Sequence, residues 1–261
     1  MMNILQQICD NKRLEVAQQK QDTPFERLQD FYHLTEHQTV SFKKALMDSP
    51  TGIIAEFKRK SPSKGWINPG AVAKETVKAY AEAGAAAVSI LTDTAFFGGR
   101  FFDFKKARKA VEHLPFLRKD FIVDEYQVHQ SKVLGADVIL LIAACLTKEE
   151  VARFAAVAHE LGMEVLLEIH NEHELDYLTE AVDVVGVNNR DLTRFVTDVE
   201  LSLQLADKIP SGYVKISESG LSDPQTVSHL QQAGYRGFLI GENFMKTPAP
   251  GKALADFIDV L

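Results

Sequence analysis

Eight short apolar runs rich in Val, Ile, Leu and Phe recur along the chain, centred near Ile54, Val88, Leu117, Ile139, Leu166, Val185, Val214 and Leu239. Their spacing averages roughly 26 residues, the length of one strand–helix unit. Between them lie stretches with helical periodicity, among them Val72–Ala83, Tyr126–Leu134, Lys148–Leu161 and Pro224–Ala233. Gly84, Gly135, Gly162 and Gly234 follow these stretches, where a helix stops and the turn needs positive φ. Strands that read as continuous apolar runs and alternate with helices imply a parallel sheet covered on its outer face. Eight of them predict an α/β fold, closed into a single (β/α)8 TIM barrel. An open doubly wound sheet is the rival arrangement, but neither GxGxxG nor GxxxxGK[ST] occurs.

The chain has 261 residues, enough for one such barrel with some to spare, so residues 1–261 are read as one domain. The spare length is at the start. Residues 1–50 form an N-terminal helical extension, with helical pattern in Ile4–Gln19 and Phe42–Met47. They hold too few apolar positions for a core of their own, so they are expected to pack on the barrel near its mouth. A net charge of −7 repels phosphate backbones and anionic lipid, which argues against nucleic-acid and membrane partners. No run of about 18 apolar residues occurs, and Met1–Asp10 lacks a basic segment followed by an apolar one, so a cytoplasmic location is expected. Cys9 and Cys145 lack the paired spacing of a zinc site or redox motif and are expected to be reduced and structural.

In a barrel of this kind the C-terminal strand ends face the active site, so polar residues closing the apolar runs are the candidates. Glu56 and Lys58 close the first run, Lys119 the third, Glu168 the fifth, Asn188 the sixth, and Glu218 with Ser219 the seventh. Glu56 and Lys58 are two apart and share one face of a strand, which can be the barrel interior. Phosphate is expected at the loops after strands seven and eight, where Gly220 and Gly241 leave backbone N–H groups bare. Glu242 fits there only with its amide inward and its carboxylate outward. The basic run Lys58–Lys64 suggests a mobile loop over an anionic substrate, with Ser61 as a donor. Arg190 can clamp a carboxylate or pair locally with Asp191. His170 and His173 have helical i,i+3 spacing, but without HExxH or HxxEH they are read as surface or helix-start residues, and no metal is expected.

These residues resemble the indole-3-glycerol phosphate synthase family across nearly the whole barrel. The resemblance rests on Ile54–Gly65, Ser89–Asp93 with Phe96–Gly99, Leu117–Phe121, Leu167–His170, Gly186–Leu192 and Ser217–Gly220. It implies cyclisation of 1-(2-carboxyphenylamino)-1-deoxyribulose 5-phosphate with loss of carbon dioxide and water, in tryptophan biosynthesis, without a cofactor. It further implies Lys119 as the acid in ring closure and Glu168 as the base. Lys58 would meet the substrate's anionic groups and serve as an acid in dehydration, with Glu56 and Asn188 orienting it and the substrate. Arg190, Glu218 and Ser219 would line the same pocket, and Ser61, Gly220, Gly241 and Glu242 would surround the phosphate. Transient contact with other enzymes of the pathway also follows from the resemblance.

Two other readings fit a phosphate-binding barrel. One is an aldose–ketose isomerase such as phosphoribosylanthranilate isomerase, which releases no carbon dioxide. The other is a barrel that binds without turnover, against which the Lys58, Lys119 and Glu168 set argues.

Overall fold

A computed structural model describes residues 4–32, 37–191 and 196–261. Leu192, at the end of the stretch Gly186–Leu192, and the first three residues of the chain lie outside them. Eight strands close into a parallel barrel: β1 (Ile53–Phe57), β2 (Ala87–Leu91), β3 (Phe116–Lys119), β4 (Val138–Ile142), β5 (Glu164–Ile169), β6 (Val184–Asn188), β7 (Val214–Glu218) and β8 (Gly237–Ile240). Each strand pairs with its neighbours in sequence, and β8 pairs back onto β1 through Ile53 and Phe238.

Both faces of the barrel wall are buried, which is why the strands read as unbroken apolar runs. In β1, Ile53, Ala55 and Phe57 face the outer helical layer, whereas Ile54 faces the interior. The interior set includes Leu117, Leu140, Leu166, Val184 and Ile216. The outer layer is built from α4 (Ala73–Glu82), α5 (Phe101–Ala110), α6 (Glu125–Leu134), α7 (Lys148–Glu160), α8 (Glu200–Leu205), α9 (Pro224–Gln232) and α11 (Pro250–Ile258). A four-residue helix, α10 (Glu242–Met245), follows β8 directly. The connection after β5 departs from the pattern, with a 3-10 turn at Glu172–Tyr177 in place of an α-helix. Local signals mark the helix ends: α7 opens with a capping box between Thr147 and Glu150, and α6 closes on Gly135 at φ 82°.

Before β1 come α1 (Ile4–Asp22), α2 (Phe25–Asp30) and α3 (Phe42–Asp48). Helix α3 carries Phe42 and Leu46 into the interior cluster, and its first turn is held by Glu164 at the start of β5. It therefore stoppers the N-terminal end of the barrel. Helix α1 lies at the opposite end, held by Lys12. That side chain is 1% exposed, and its Nζ lies 2.9 Å from Asp93 and 3.0 Å from Asp120, which close β2 and β3. Burial would lower the pKa of Lys12, but Asp120, Asp93 and Glu15 outweigh it, so the ammonium stays charged. Among the described residues no helix is long and apolar enough to cross a membrane.

Candidate active site

Strand periodicity delivers the site. Two residues beyond an interior apolar side chain, the next inward position lies at the barrel mouth, so Ile54 is followed by Glu56, Leu117 by Lys119, Leu166 by Glu168, and Ile216 by Glu218. These side chains converge on a cavity of about 370 Å³, which Lys58, Ser61, Asn188, Arg190, Ser219, Gly220, Gly241 and Glu242 also line. All twelve residues singled out from the sequence thus border one space.

At its floor the Lys119 ammonium bridges two carboxylates, 2.7 Å from Glu168 Oε2 and 2.5 Å from Glu218 Oε2. Burial alone would lower the Lys119 pKa, but Glu168, Glu218 and Glu56 together raise it above the ordinary lysine range. Glu168 shows the mirror effect: burial would raise it, yet Lys119 and His170 hold it well below the usual carboxylate range. Its Oε1 accepts a hydrogen bond from Asn188 Nδ2 at 3.1 Å. Burial, with the nearby charges of Glu168 and Glu56, pushes Glu218 up to about 7 despite its contact with Lys119. The site therefore holds an ammonium, a fixed carboxylate and a carboxyl group poised near neutrality. Lys119 on β3 and Glu168 on β5 thus reach across the barrel mouth from alternate strands and meet in one ion pair.

Glu56 and Lys58 form a second pair, Nζ to Oε1 at 2.5 Å, as their spacing on one strand face requires. The buried carboxylates occupy space left by glycines on facing strands. A Cβ at Gly241 would lie 2.4 Å from Glu56 Oε1, and one at Gly186 would lie 2.6 Å from Glu218 Oε1. Neither glycine has positive φ; each is needed for close approach.

The loops after β7 and β8 have their own constraint. Ser219 and Gly220 take left-handed backbone at φ 69° and 78°, and a Cβ on Gly220 would lie 2.7 Å from Thr197 Cγ2. The Glu242 carboxylate lies 4.0 Å from Lys64 Nζ and 3.9 Å from Arg190 Nη2, turned toward these cations. Arg190 donates to Ser63 Oγ at 3.1 Å, so it ties the loop after β1 to the loop after β8.

A family model described as "Indole-3-glycerol phosphate synthase" matches residues 5–257. The indole-3-glycerol phosphate synthase of Bacteroides thetaiotaomicron is 52% identical over 261 residues, covering 100% of both chains. That of Salinibacter ruber is 42% identical over 259 residues, covering 97% of this chain and 94% of its own. The chain belongs to the indole-3-glycerol phosphate synthase family. Its activity is that of a decarboxylating lyase of tryptophan biosynthesis acting on a phosphorylated substrate. Two solved structures share the fold alone. 3-Hexulose-6-phosphate synthase from Salmonella typhimurium superposes with a TM-score of 0.62 at 13% identity, over 80% of this chain and 99% of its own. A structure described as "Native KDPGal structure" gives 0.59 at 16% identity, over 81% and 95%.

The basic run after β1 is expected to form a loop over an anionic substrate, but within it Arg59 is not an exposed cation. Its guanidinium is buried in a bidentate pair with Asp103 at 2.6 and 3.0 Å, so it anchors the loop instead of reaching outward. Lys60–Ser61 and Gly65–Trp66 pair as a small hairpin, which leaves Pro62, Ser63 and Lys64 as its exposed tip. Arg59 and Asp103 are 44 residues apart, so their pairing leaves no mark on local pattern and sequence reading could not see this anchor.

Sequence reading also missed the cavity's apolar wall. Ile4 and Ile8 of α1 join Phe97, Leu140 and Ile142 there. His170, read as a surface or helix-start residue, is instead largely buried behind Glu168: Nε2 lies 3.3 Å from Glu168 Oε1 and Nδ1 lies 3.6 Å from Glu174. His173 is exposed, and among the described residues no metal-binding cluster occurs. Burial would lower the His170 pKa, but the two glutamates outweigh it and raise it to about 10. A raised folded-state pKa stabilises the fold fully below the ordinary value of 6.5 and loses that contribution as pH rises through about 10. The stability advantage of the native chain over His170→Asn is therefore expected to shrink from pH 6.5 to 10 in denaturant titrations. A constant difference across that range would show that the imidazolium is not what Glu168 feels.

Proposed function

We propose that the chain cyclises 1-(2-carboxyphenylamino)-1-deoxyribulose 5-phosphate to indole-3-glycerol phosphate with Lys119 as acid and Glu168 as base. The observation that carries this reading is the Lys119 ammonium shared between Glu168 and Glu218 on the cavity floor, facing apolar side chains on one side and the Gly220 and Gly241 loops on the other. The substrate's aromatic ring fits the apolar wall. Its phosphate fits the glycine loops, with Ser61 and the backbone at Glu242 alongside.

The carboxyl-bearing ring carbon attacks the ketone carbon, and Lys119 gives the ketone oxygen a proton as the new bond forms. Carbon dioxide then leaves and its bonding electrons restore the aromatic ring. The new hydroxyl departs as water, with Lys58 supplying the proton, while Glu168 takes the proton that must leave as the five-membered ring becomes unsaturated. Glu56 orients Lys58, and Asn188 orients Glu168. Arg190 and Ser219 complete the rim. No step requires a redox or carbanion-stabilising cofactor. A cytoplasmic site of action belongs to the same reading and rests on the absence of any long apolar run, whereas transient contacts with other enzymes of the pathway rest on the family resemblance.

Supplying this substrate and measuring both products tests the reaction. Carbon dioxide and indole-3-glycerol phosphate should appear in equal amounts; an isomerised product without carbon dioxide, or no product, would overturn it. The phosphate assignment has a separate test. Gly220→Ala puts a Cβ against Thr197 and strains a left-handed backbone, which displaces the loop amides. Binding of the phosphorylated substrate is expected to weaken about tenfold, the scale of one charge-assisted hydrogen bond of ~1.5 kcal/mol. A dephosphorylated analogue should lose far less, and equal losses in calorimetric titrations would place the phosphate elsewhere.

A further inference from the structure

Two thiols outside the catalytic set meet at the barrel mouth. Cys9 on α1 and Cys145, which ends the 3-10 turn Ala143–Cys145 after β4, are separated by 136 residues, yet their Sγ atoms lie 2.9 Å apart. That is roughly 1 Å beyond the bond length of a disulfide, about 2.05 Å. The contact joins two parts of the cavity wall, since Ile8 precedes Cys9 and Ile142 precedes the turn that carries Cys145. We propose that Cys9 and Cys145 are a reversible redox modification site, closed to a disulfide by small hydroperoxides, that ties the N-terminal helix to the mouth of the active-site cavity.

The pair is set up for unequal roles. Its sulfur–sulfur hydrogen bond and the Arg13 guanidinium pull the Cys9 pKa down, whereas the Cys9 contact and burial push Cys145 up. Thiolate is the nucleophile in this chemistry. Cys9 thiolate attacks one oxygen of the hydroperoxide, the O–O bond breaks, and Cys9 becomes a sulfenic acid while an alkoxide leaves and takes a proton. Cys145 then attacks the sulfenic sulfur, displacing hydroxide, which leaves as water with the Cys145 proton. Two thiols have lost two electrons and two protons, and one hydroperoxide has become an alcohol and water. Cys9 is 3% exposed, and Cys145 is partly exposed, so a small oxidant reaches the pair more readily than a bulky one.

A transient bond of this kind is compatible with a reducing compartment, where protein disulfides serve mainly as sensors. Its effect is mechanical: bonded, α1 cannot lift from the barrel, and Ile8 stays fixed against the cavity. The bond also closes a long loop in the unfolded chain, so oxidised protein resists unfolding more than reduced protein.

The test exposes the full-length reduced protein to hydrogen peroxide and follows free thiols, intact mass and a peptide map. The expected result is loss of both thiols together, a mass lower by two hydrogens, one cross-linked peptide pair containing Cys9 and Cys145, and a raised unfolding midpoint that dithiothreitol reverses. Cys9→Ser and Cys145→Ser should each abolish the cross-link and the midpoint shift. Oxidation of either cysteine to a sulfinic acid without a cross-link would overturn the proposal. So would a disulfide between two chains on a non-reducing gel, or two thiols that stay titratable while peroxide oxidises exposed methionine.

Discussion

Lys119→Met is expected to lower turnover by roughly 10²- to 10⁴-fold, the usual scale for one positioned proton-transfer group, while the barrel still folds. Methionine keeps the apolar stem and deletes the donor. It also removes the cation between Glu168 and Glu218, which would leave two carboxylates in a buried site. Glu218, already pushed up to about 7 chiefly by burial, relieves this by keeping its proton. Because its folded-state pKa is raised, that relief is present at low pH and is lost as pH rises through the folded value. The variant should therefore be stable in mild acid and weaken above neutrality. In a single turnover it should stall before carbon dioxide appears, because ring closure precedes decarboxylation. Near-normal turnover would end the assignment and move the acid to Lys58.

Glu168→Gln is expected to cost a similar factor, with a different signature. The amide keeps the shape of the carboxylate and can still accept from Asn188, but it cannot take a proton. Ring closure and decarboxylation then proceed on Lys119, and the later deprotonation stalls. Rapid-quench measurement should show a burst of carbon dioxide that outpaces indole-3-glycerol phosphate. If both products fall together, Glu168 acts at or before decarboxylation. Loss of the anion also frees His170 from its main partner, so the His170 pKa should drop from about 10 in a titration followed by NMR.

The barrel was legible because each strand is buried on both faces and needs no partner to announce itself. A continuous run such as Val184–Asn188 reads as a wall strand, and its last residue reads as a mouth residue. The convergence of Glu56, Lys119, Glu168 and Glu218 follows from the same two-residue period once the barrel is closed. What the sequence hid were pairings between distant segments. Arg59 reads as one of three consecutive basic residues, and only Asp103 tells it apart. Cys9 and Cys145 read as isolated thiols, and His170 as the start of a turn. The left-handed φ of Ser219 was hidden as well, since serine carries no signal for that region. The clearance at Gly241 could not be told from an ordinary turn glycine, nor the one at Gly186 from any glycine within a strand, without the carboxylate beside it.

Lys12 makes the start of the chain inseparable from the rest. A barrel trimmed at β1 would keep every strand, yet it would remove the ammonium that Asp93 and Asp120 share, leaving Asp120 to Arg118 alone and Asp93 without that counter-charge. Breaking a buried ion pair by removing one partner costs about 3–5 kcal/mol. That is about a fifth or more of the roughly 5–15 kcal/mol by which an ordinary domain is stable. The same trimming would open the Ile4 and Ile8 side of the cavity to water. For anyone grafting, fusing or circularly permuting this scaffold, α1 (Ile4–Asp22) is thus part of the minimal functional unit, and new chain ends belong in exposed turns such as the one at Gly212.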